Sequence, residues 1–263
     1  PPPSLPRHIA WATLEKTDSV LGVIAGVFHG EPSRDLDVIA VTGTNGKTTV
    51  SWLVESILKH AGKRCGLVGT IETHIDGEVE PAVFTTPFGD DLQRLLARMR
   101  DVGCTHAIIE ASSHGLKQDR IAGVRIASGG FTNLSRDHLD FHLTVEDYQA
   151  SKAKLFTHYA EKAVFNIDDA VGCALWEQFD GPCLGISVRG DARADVRVTA
   201  SEFDLHGCRA ELMTPEGQLE LRLPLVGKHN LENALVALGM THVVGVPLSV
   251  GCEGLARNAY VPG

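Results

Sequence analysis

The segment Thr42-Gly43-Thr44-Asn45-Gly46-Lys47-Thr48-Thr49 has the residue types that hold a polyphosphate. Glycine and small residues let backbone N–H groups turn toward phosphate oxygens, and a helix N-terminus behind them adds its partial positive charge. In such an arrangement Lys47 reaches the outer phosphates and the Thr48 hydroxyl faces Mg²⁺. Val41 stands where the general phosphate-loop pattern has its first glycine. A plain glycine turn into a helix is therefore the competing reading.

Other residues carry chemistry only in context. Glu110 closes the apolar run from His106. A carboxylate at the carboxyl end of a parallel strand, beside a phosphate loop, is placed to hold Mg²⁺; a single Glu in isolation is more often a surface residue. His138 taken singly is a solvated or core histidine, Lys152 and Lys154 are solvated lysines, and Thr85-Thr86-Pro87 is a commonplace turn. On a helix the two lysines point apart, since two residues advance it by about 200°. Asn230 opens a helical stretch, and its amide offers adenine a paired donor and acceptor or caps the helix.

These residues need elements to position them. Asp37 to Val41 is short, apolar and β-branched, the pattern of a buried parallel strand. From Thr48 to His60, residues Val50, Leu53, Val54, Ile57 and Leu58 fall at helical spacing. The alternation continues with strands at 65–70, 106–110, 127–131, 163–166 and 183–186, and helices at 91–102, 148–156, 170–179 and 230–244. From about 193 to 225 apolar and polar residues alternate around a Pro-Glu-Gly turn, which is antiparallel strand grammar. The predicted fold class is α/β: a mostly parallel, P-loop-type sheet flanked by helices, with a small antiparallel side sheet. Residues 1–36, with an apolar stretch from Val20 to Phe28, are expected to be the remnant of an N-terminal domain and linker. Residues 37–263 are expected to form the α/β domain itself.

The 263 residues are 43% hydrophobic and 22% charged, enough for one large α/β domain or two small ones. The net charge of −9 argues against a nucleic-acid binder, which needs a basic surface. No apolar run approaches the roughly 20 residues that cross a bilayer, so no membrane partner is expected. Pro1-Pro2-Pro3 lacks both an initiator Met and the layout of a signal peptide, and the chain is expected to be cut from a longer one. The six cysteines are scattered without a C-x-x-C pair, as in a reduced cytosolic protein.

The string Thr-Gly-Thr-Asn-Gly-Lys-Thr-Thr resembles the phosphate loop of the Mur ligases and of their relative folylpolyglutamate synthetase. Glu110-Ala111-Ser112-Ser113-His114-Gly115-Leu116 resembles a motif of the tripeptide synthetases within that family, and Phe131-Thr132-Asn133-Leu134-Ser135-Arg136-Asp137-His138-Leu139-Asp140-Phe141-His142 resembles another. Tyr148 to Phe156, Asn166-Ile167-Asp168-Asp169 and Gly227 to Ala234 are similar to further family segments, in the family order. The likeness covers about Phe28 to Gly263 and ends in Val261-Pro262-Gly263, similar to a Val-Pro-Gly-Arg segment.

This resemblance implies an ATP-dependent ligase that activates a carboxylate as an acyl phosphate and adds a diamino acid to UDP-N-acetylmuramoyl-L-alanyl-D-glutamate. It implies ATP held by Gly43, Thr44, Asn45, Gly46, Lys47, Thr48 and Thr49, with Asn166, Asp168 and Asn230 toward the adenosine. It implies two Mg²⁺ ions, with Thr48, Glu110, His138 and a carbamylated Lys152 as ligands, and Lys47, Glu110, His138 and Lys152 as the catalytic set. Thr85, Thr86, Ser112 and Arg120 would face the muramoyl peptide. Most of the first family domain and all of the third are expected to be missing, so the chain alone is expected to bind Mg-ATP weakly and catalyse little. Folylpolyglutamate synthetase, another Mur-type ligase and a non-catalytic nucleotide-binding module stay open as alternatives.

Overall fold

Strands that are apolar on both faces need cover on both, and a single sheet between two helical layers supplies it. The computed structural model describes residues 17–135, 137 and 141–262, with Asp18 by its backbone only. Helix α1 (Thr17–Phe28) precedes β1 (Asp37–Thr42), α2 (Lys47–His60) and β2 (Cys65–Val68). A hairpin of β3 (Glu72–Ile75) and β4 (Glu78–Pro81) follows, then α3 (Gly89–Asp101), β5 (His106–Glu110) and the short α4 (Ser113–Lys117). Next come β6 (Ser128–Phe131), α5 (Val145–Lys154), β7 (Ala163–Asn166), α6 (Ala170–Gln178) and β8 (Cys183–Ser187). The last elements are β9 (Val196–Asp204), β10 (Gly207–Thr214), β11 (Gly217–Leu223), α7 (Lys228–His242) and α8 (Leu248–Asn258).

The strand order is β11-β10-β9-β8-β7-β6-β1-β5-β2-β3-β4 in one sheet of 11 strands. Pairing is parallel from β9 through β2 and antiparallel outside that block. The expected α/β class is observed. The antiparallel unit continues the main sheet, because β9 pairs in parallel with β8 at Ile186↔Val196 and Ser187↔Arg197. In β1, Ile39 and Val41 enter a core shared with α2, α7 and α8, while Val38 and Ala40 enter a second one beside α3. A side-chain period of two, buried on both faces, is what the β-branched run encodes.

Four elements, β3, β4, α4 and α8, have no counterpart among the expected ones. The β3–β4 hairpin turns at Asp76-Gly77, both with positive φ (51° and 87°), the strongest short hairpin signal a sequence offers. Its outer strand carries Glu78, Glu80 and Pro81, residues that discourage further pairing at an edge. Helix α4 is too short for periodicity to reveal, and α8 holds Gly251 and Gly254, poor helix formers that permit close contact with Leu238 and His60. The six cysteines are free, as expected.

Candidate functional site

Strand β1 has β6 on one side and β5 on the other, while the chain itself runs from β1 to β2. This is a switch point, and the crevice at the carboxyl ends of such strands is where open α/β sheets bind ligands. The phosphate-loop segment leaves β1 there. A cavity of about 650 Å³ opens over it, lined by Lys47, Thr48, Thr85, Ser112, Arg120 and Lys152 among others. Gly46 caps α2 with φ 89° and no side-chain hydrogen bond, so the first N–H groups of the helix are left to a ligand.

The loop is braced from β6. Thr44 N–H donates to Asn133 O at 2.8 Å, Asn45 N–H to Asn133 Oδ1 at 3.1 Å, and Thr132 Oγ1 to Asn45 O at 2.6 Å. A Cβ on Gly46 would lie 2.2 Å from Asn233 Oδ1 on α7. Gly46→Ala is therefore expected to lose about 1–3 kcal/mol of stability through its positive φ and this contact, read as a lower urea midpoint.

Glu110 is fully buried. Its Oε2 accepts from Thr48 Oγ1 at 3.0 Å and Thr70 Oγ1 at 2.8 Å, and its Oε1 from Thr70 N–H at 3.0 Å. The register Val41↔Glu110 brings this carboxylate beside the loop. Thr86 is also buried, and its hydroxyl donates to Glu110 O at 2.8 Å and accepts Ser112 N–H at 2.9 Å. It joins the Thr-Thr-Pro turn to the strand end, while Thr85 lines the cavity and meets Thr70 Oγ1 at 3.2 Å. Ser112 caps α4 by accepting Gly115 N–H at 3.1 Å.

Two lysines meet on one carbonyl. Lys47 Nζ donates to Gly43 O at 3.0 Å and to Thr44 O at 2.9 Å, and Lys152 Nζ to Gly43 O at 2.6 Å. Lys152 is 1% exposed. Burial first, and the Lys47 charge second, push its amine down to about 6, with Asp137 pulling the other way. Lys47 is lowered as well, chiefly by burial. Lys154 turns elsewhere, to Leu116 O at 3.0 Å and Asp119 Oδ1 at 2.5 Å.

The Mur ligase middle domain model matches residues 41–241. The chain belongs to the Mur ligase family. It is 44% identical over 239 residues to the UDP-N-acetylmuramoyl-L-alanyl-D-glutamate–2,6-diaminopimelate ligase of Ectopseudomonas mendocina, which is 89% of this chain and 49% of that protein. The ligase of the same name from Pseudomonas aeruginosa is 44% identical over 87% of this chain and 47% of its own length. The chain thus spans about half the length of these curated relatives. A solved structure of a ligase of that name superposes with a TM-score of 0.87 at 30% identity, over 96% of this chain and 53% of the other. Mycobacterium tuberculosis folylpolyglutamate synthase, complexed with ADP and AMPPCP, shares the fold alone at TM-score 0.73 and 18% identity, over 94% of this chain and 63% of that one.

In this Mur ligase domain the residues expected near adenosine lie outside the cavity lining. Asn166 donates from Nδ2 to Thr132 O at 2.9 Å, and its Oδ1 accepts Asp168 N–H at 3.1 Å. The Asp168 carboxylate accepts from Ser187 Oγ at 2.7 Å and from the N–H groups of Val188 and Arg189 at 2.8 and 3.0 Å. Both side chains knit the loops after β7 and β8. Asn230 donates to Val226 O at 2.9 Å, while Gly227 occupies the helix cap. His138 lies outside the described residues, as do Arg136, Leu139 and Asp140 of the same motif. Among the described residues no group of three His, Cys, Asp or Glu side chains could hold a metal ion.

Sequence reasoning passed over Tyr148. It is buried, its hydroxyl pairs with Thr44 Oγ1 at 3.1 Å, and Lys152 Nζ sits 4.5 Å from its ring centroid. The i, i+4 spacing of Tyr148 and Lys152 on one helix was the available signal. Thr70 and Asn233 had none, since their nearness to Glu110 and Gly46 arises only when distant elements meet.

Proposed function

We propose that this Mur ligase domain holds Mg-ATP for a cytoplasmic ligase of peptidoglycan precursor synthesis, which adds a diamino acid to UDP-N-acetylmuramoyl-L-alanyl-D-glutamate. The observation that carries the reading is the Thr48 hydroxyl on the buried Glu110 carboxylate at the mouth of the phosphate loop. The names of the relatives favour 2,6-diaminopimelate as the residue added.

The donor set suits the cations in part. A hydroxyl and a carboxylate are the hard oxygen ligands that Mg²⁺ takes beside phosphate oxygens, and Thr48 and Glu110 supply them. Lys152 as an amine does not fit a second ion; as a carbamate it does. With its pKa at about 6 the amine is largely neutral at pH 7. Its lone pair forms the N–C bond to CO₂, the nitrogen releases one proton, and the product is an anion. His138 joins this set by the family resemblance. When bound, the ions neutralise charge on the transferring phosphoryl group.

The chain's own groups do the positioning. Lys47 swings from the carbonyls of Gly43 and Thr44 to the outer phosphates, and the α2 N-terminus faces the same oxygens. Thr85, Thr86, Ser112 and Arg120 form the wall expected to orient the muramoyl peptide, so that its carboxylate oxygen bonds to the γ-phosphorus as the bridging bond to ADP breaks. The amine of the diamino acid then attacks the acyl carbon, loses a proton and releases phosphate. Asn230 and the loops knit by Asn166 and Asp168 are the proposed adenosine side.

Calorimetry with a non-hydrolysable ATP analogue tests the reading. Glu110→Gln is expected to weaken Mg²⁺-dependent binding about tenfold, leaving metal-free binding unchanged. Equal Mg²⁺ dependence in both chains would remove Glu110 from the metal site. For the carbamate, ¹³C-bicarbonate should give a carbamate resonance that Lys152→Met lacks.

A further inference from the structure

Arg120 is held in an unusual setting at the wall of the cavity. Its Nη1 donates to Thr86 O at 2.7 Å and its Nε to Gln118 Oε1 at 2.9 Å. The guanidinium carbon also lies 4.1 Å from the Phe88 ring centroid and 5.3 Å from that of Phe84. The two rings meet edge to face, 5.4 Å apart at 82°. Both are large apolar side chains left substantially in water, at 47% for Phe84 and 43% for Phe88.

Phe88 breaks a local rule in order to be there. It is the N-cap of α3, with φ −61° and ψ 156°, and makes no side-chain cap hydrogen bond. Ser, Thr, Asp and Asn are the residues a helix wants at that position. Local rules are broken most often where a side chain has another task. Phe84 lines the cavity together with Arg120, and aromatic side chains beside a few placed polar groups are what ligand pockets present.

We infer that Phe84 and Phe88 are positioning residues that clamp the Arg120 guanidinium and present an apolar ring edge beside it. The wall is thereby set for an acceptor whose anionic group adjoins an apolar one. This deepens the proposed function and rests on its assignment of that wall to the acceptor. The rings act through the arginine: cation–π contact fixes the guanidinium plane, and a charge already oriented needs little further ordering when the ligand arrives.

The test is an NMR titration of the Arg120 Nε–H resonance, assigned by its absence in Arg120→Lys, in the wild-type chain, Phe88→Ser and Phe88→Tyr. UDP-N-acetylmuramoyl-L-alanyl-D-glutamate is the probe. Phe88→Ser supplies the missing helix cap, so it is expected to fold at least as well as the wild type. In the wild type the resonance should carry a ring-current shift and move with the acceptor. Phe88→Ser should reduce the ring-current shift to the part that Phe84 contributes and weaken acceptor binding by roughly three- to tenfold, and Phe88→Tyr should restore both. Equal acceptor affinity in Phe88→Ser and wild type would overturn the inference, as would an Arg120 resonance that ignores the acceptor in the wild type. The Mg²⁺-nucleotide titration of the same samples reads the proposed function separately. Loss of nucleotide binding would count against that reading, and an insensitive Arg120 against the clamp.

Discussion

Lys47→Ala is expected to lower the affinity for Mg²⁺ with a non-hydrolysable ATP analogue by about 30- to 100-fold, the worth of charge-assisted hydrogen bonds to phosphate in a partly desolvated site. The ammonium now satisfies itself on Gly43 O and Thr44 O at 3.0 and 2.9 Å. Those carbonyls point to a lysine already folded over its own loop, a short swing from the phosphates. The chain should stay folded, because the loop keeps its braces from Thr132 and Asn133. Calorimetry decides the outcome. Binding lost with the fold intact supports the phosphate-loop assignment. Binding retained within a few fold would mean that the glycine turn is only a turn.

The second large effect is on stability and its pH dependence. Lys152 has a folded pKa of about 6 against 10.5 for the ordinary amine. Between those values the unfolded chain binds more protons than the folded one, so this residue makes stability rise with pH across that window. Below about pH 6 its full cost is present. Lys152→Met, which keeps the volume and removes the charge, is therefore expected to stabilise the chain by about 2 kcal/mol at pH 6 in CO₂-free buffer, with the gain fading toward pH 10. Urea unfolding at both pH values measures it. Stability curves of wild type and variant that run parallel in pH would show that the amine is not desolvated as described.

A buried amine that costs stability is easier to explain by function than by folding. Gly43 O receives both lysines, and removing either charge should relieve the other. Tyr148 belongs to the same arrangement, since it places a ring under Lys152 and a hydroxyl on Thr44 of the loop. The pair links α5, the helix that carries Lys152, to the segment proposed to take the nucleotide.

The local pattern of the sequence was enough for the parallel strands and the helices that cover them, and it marked the segment proposed as the phosphate loop. The apolar, β-branched run from Asp37 to Val41 reads as a strand buried on both faces, and the glycines and Lys47 of the next segment are residue types that suit a polyphosphate. Periodicity failed where elements are short or glycine-rich, as in α4 and α8. The Asp76-Gly77 hairpin was legible and was passed over.

What only the tertiary structure decided is which side chains share a space. Glu110 reaches Thr48 across 62 residues and Lys152 reaches Gly43 across 109. A desolvated amine is a property of that shared space, not of any local string. The same holds for Asn166 and Asp168, whose amide and carboxylate the fold engages in holding loops together. It holds for Phe88, which lies outside the helix expected at 91–102 and which the fold makes a helix cap 4.1 Å from an arginine. Local sequence determines backbone conformation through sterics and periodic burial. Side-chain pKa and ligand geometry depend on distance and dielectric between residues remote in the chain, and these exist only once the sheet is closed around them.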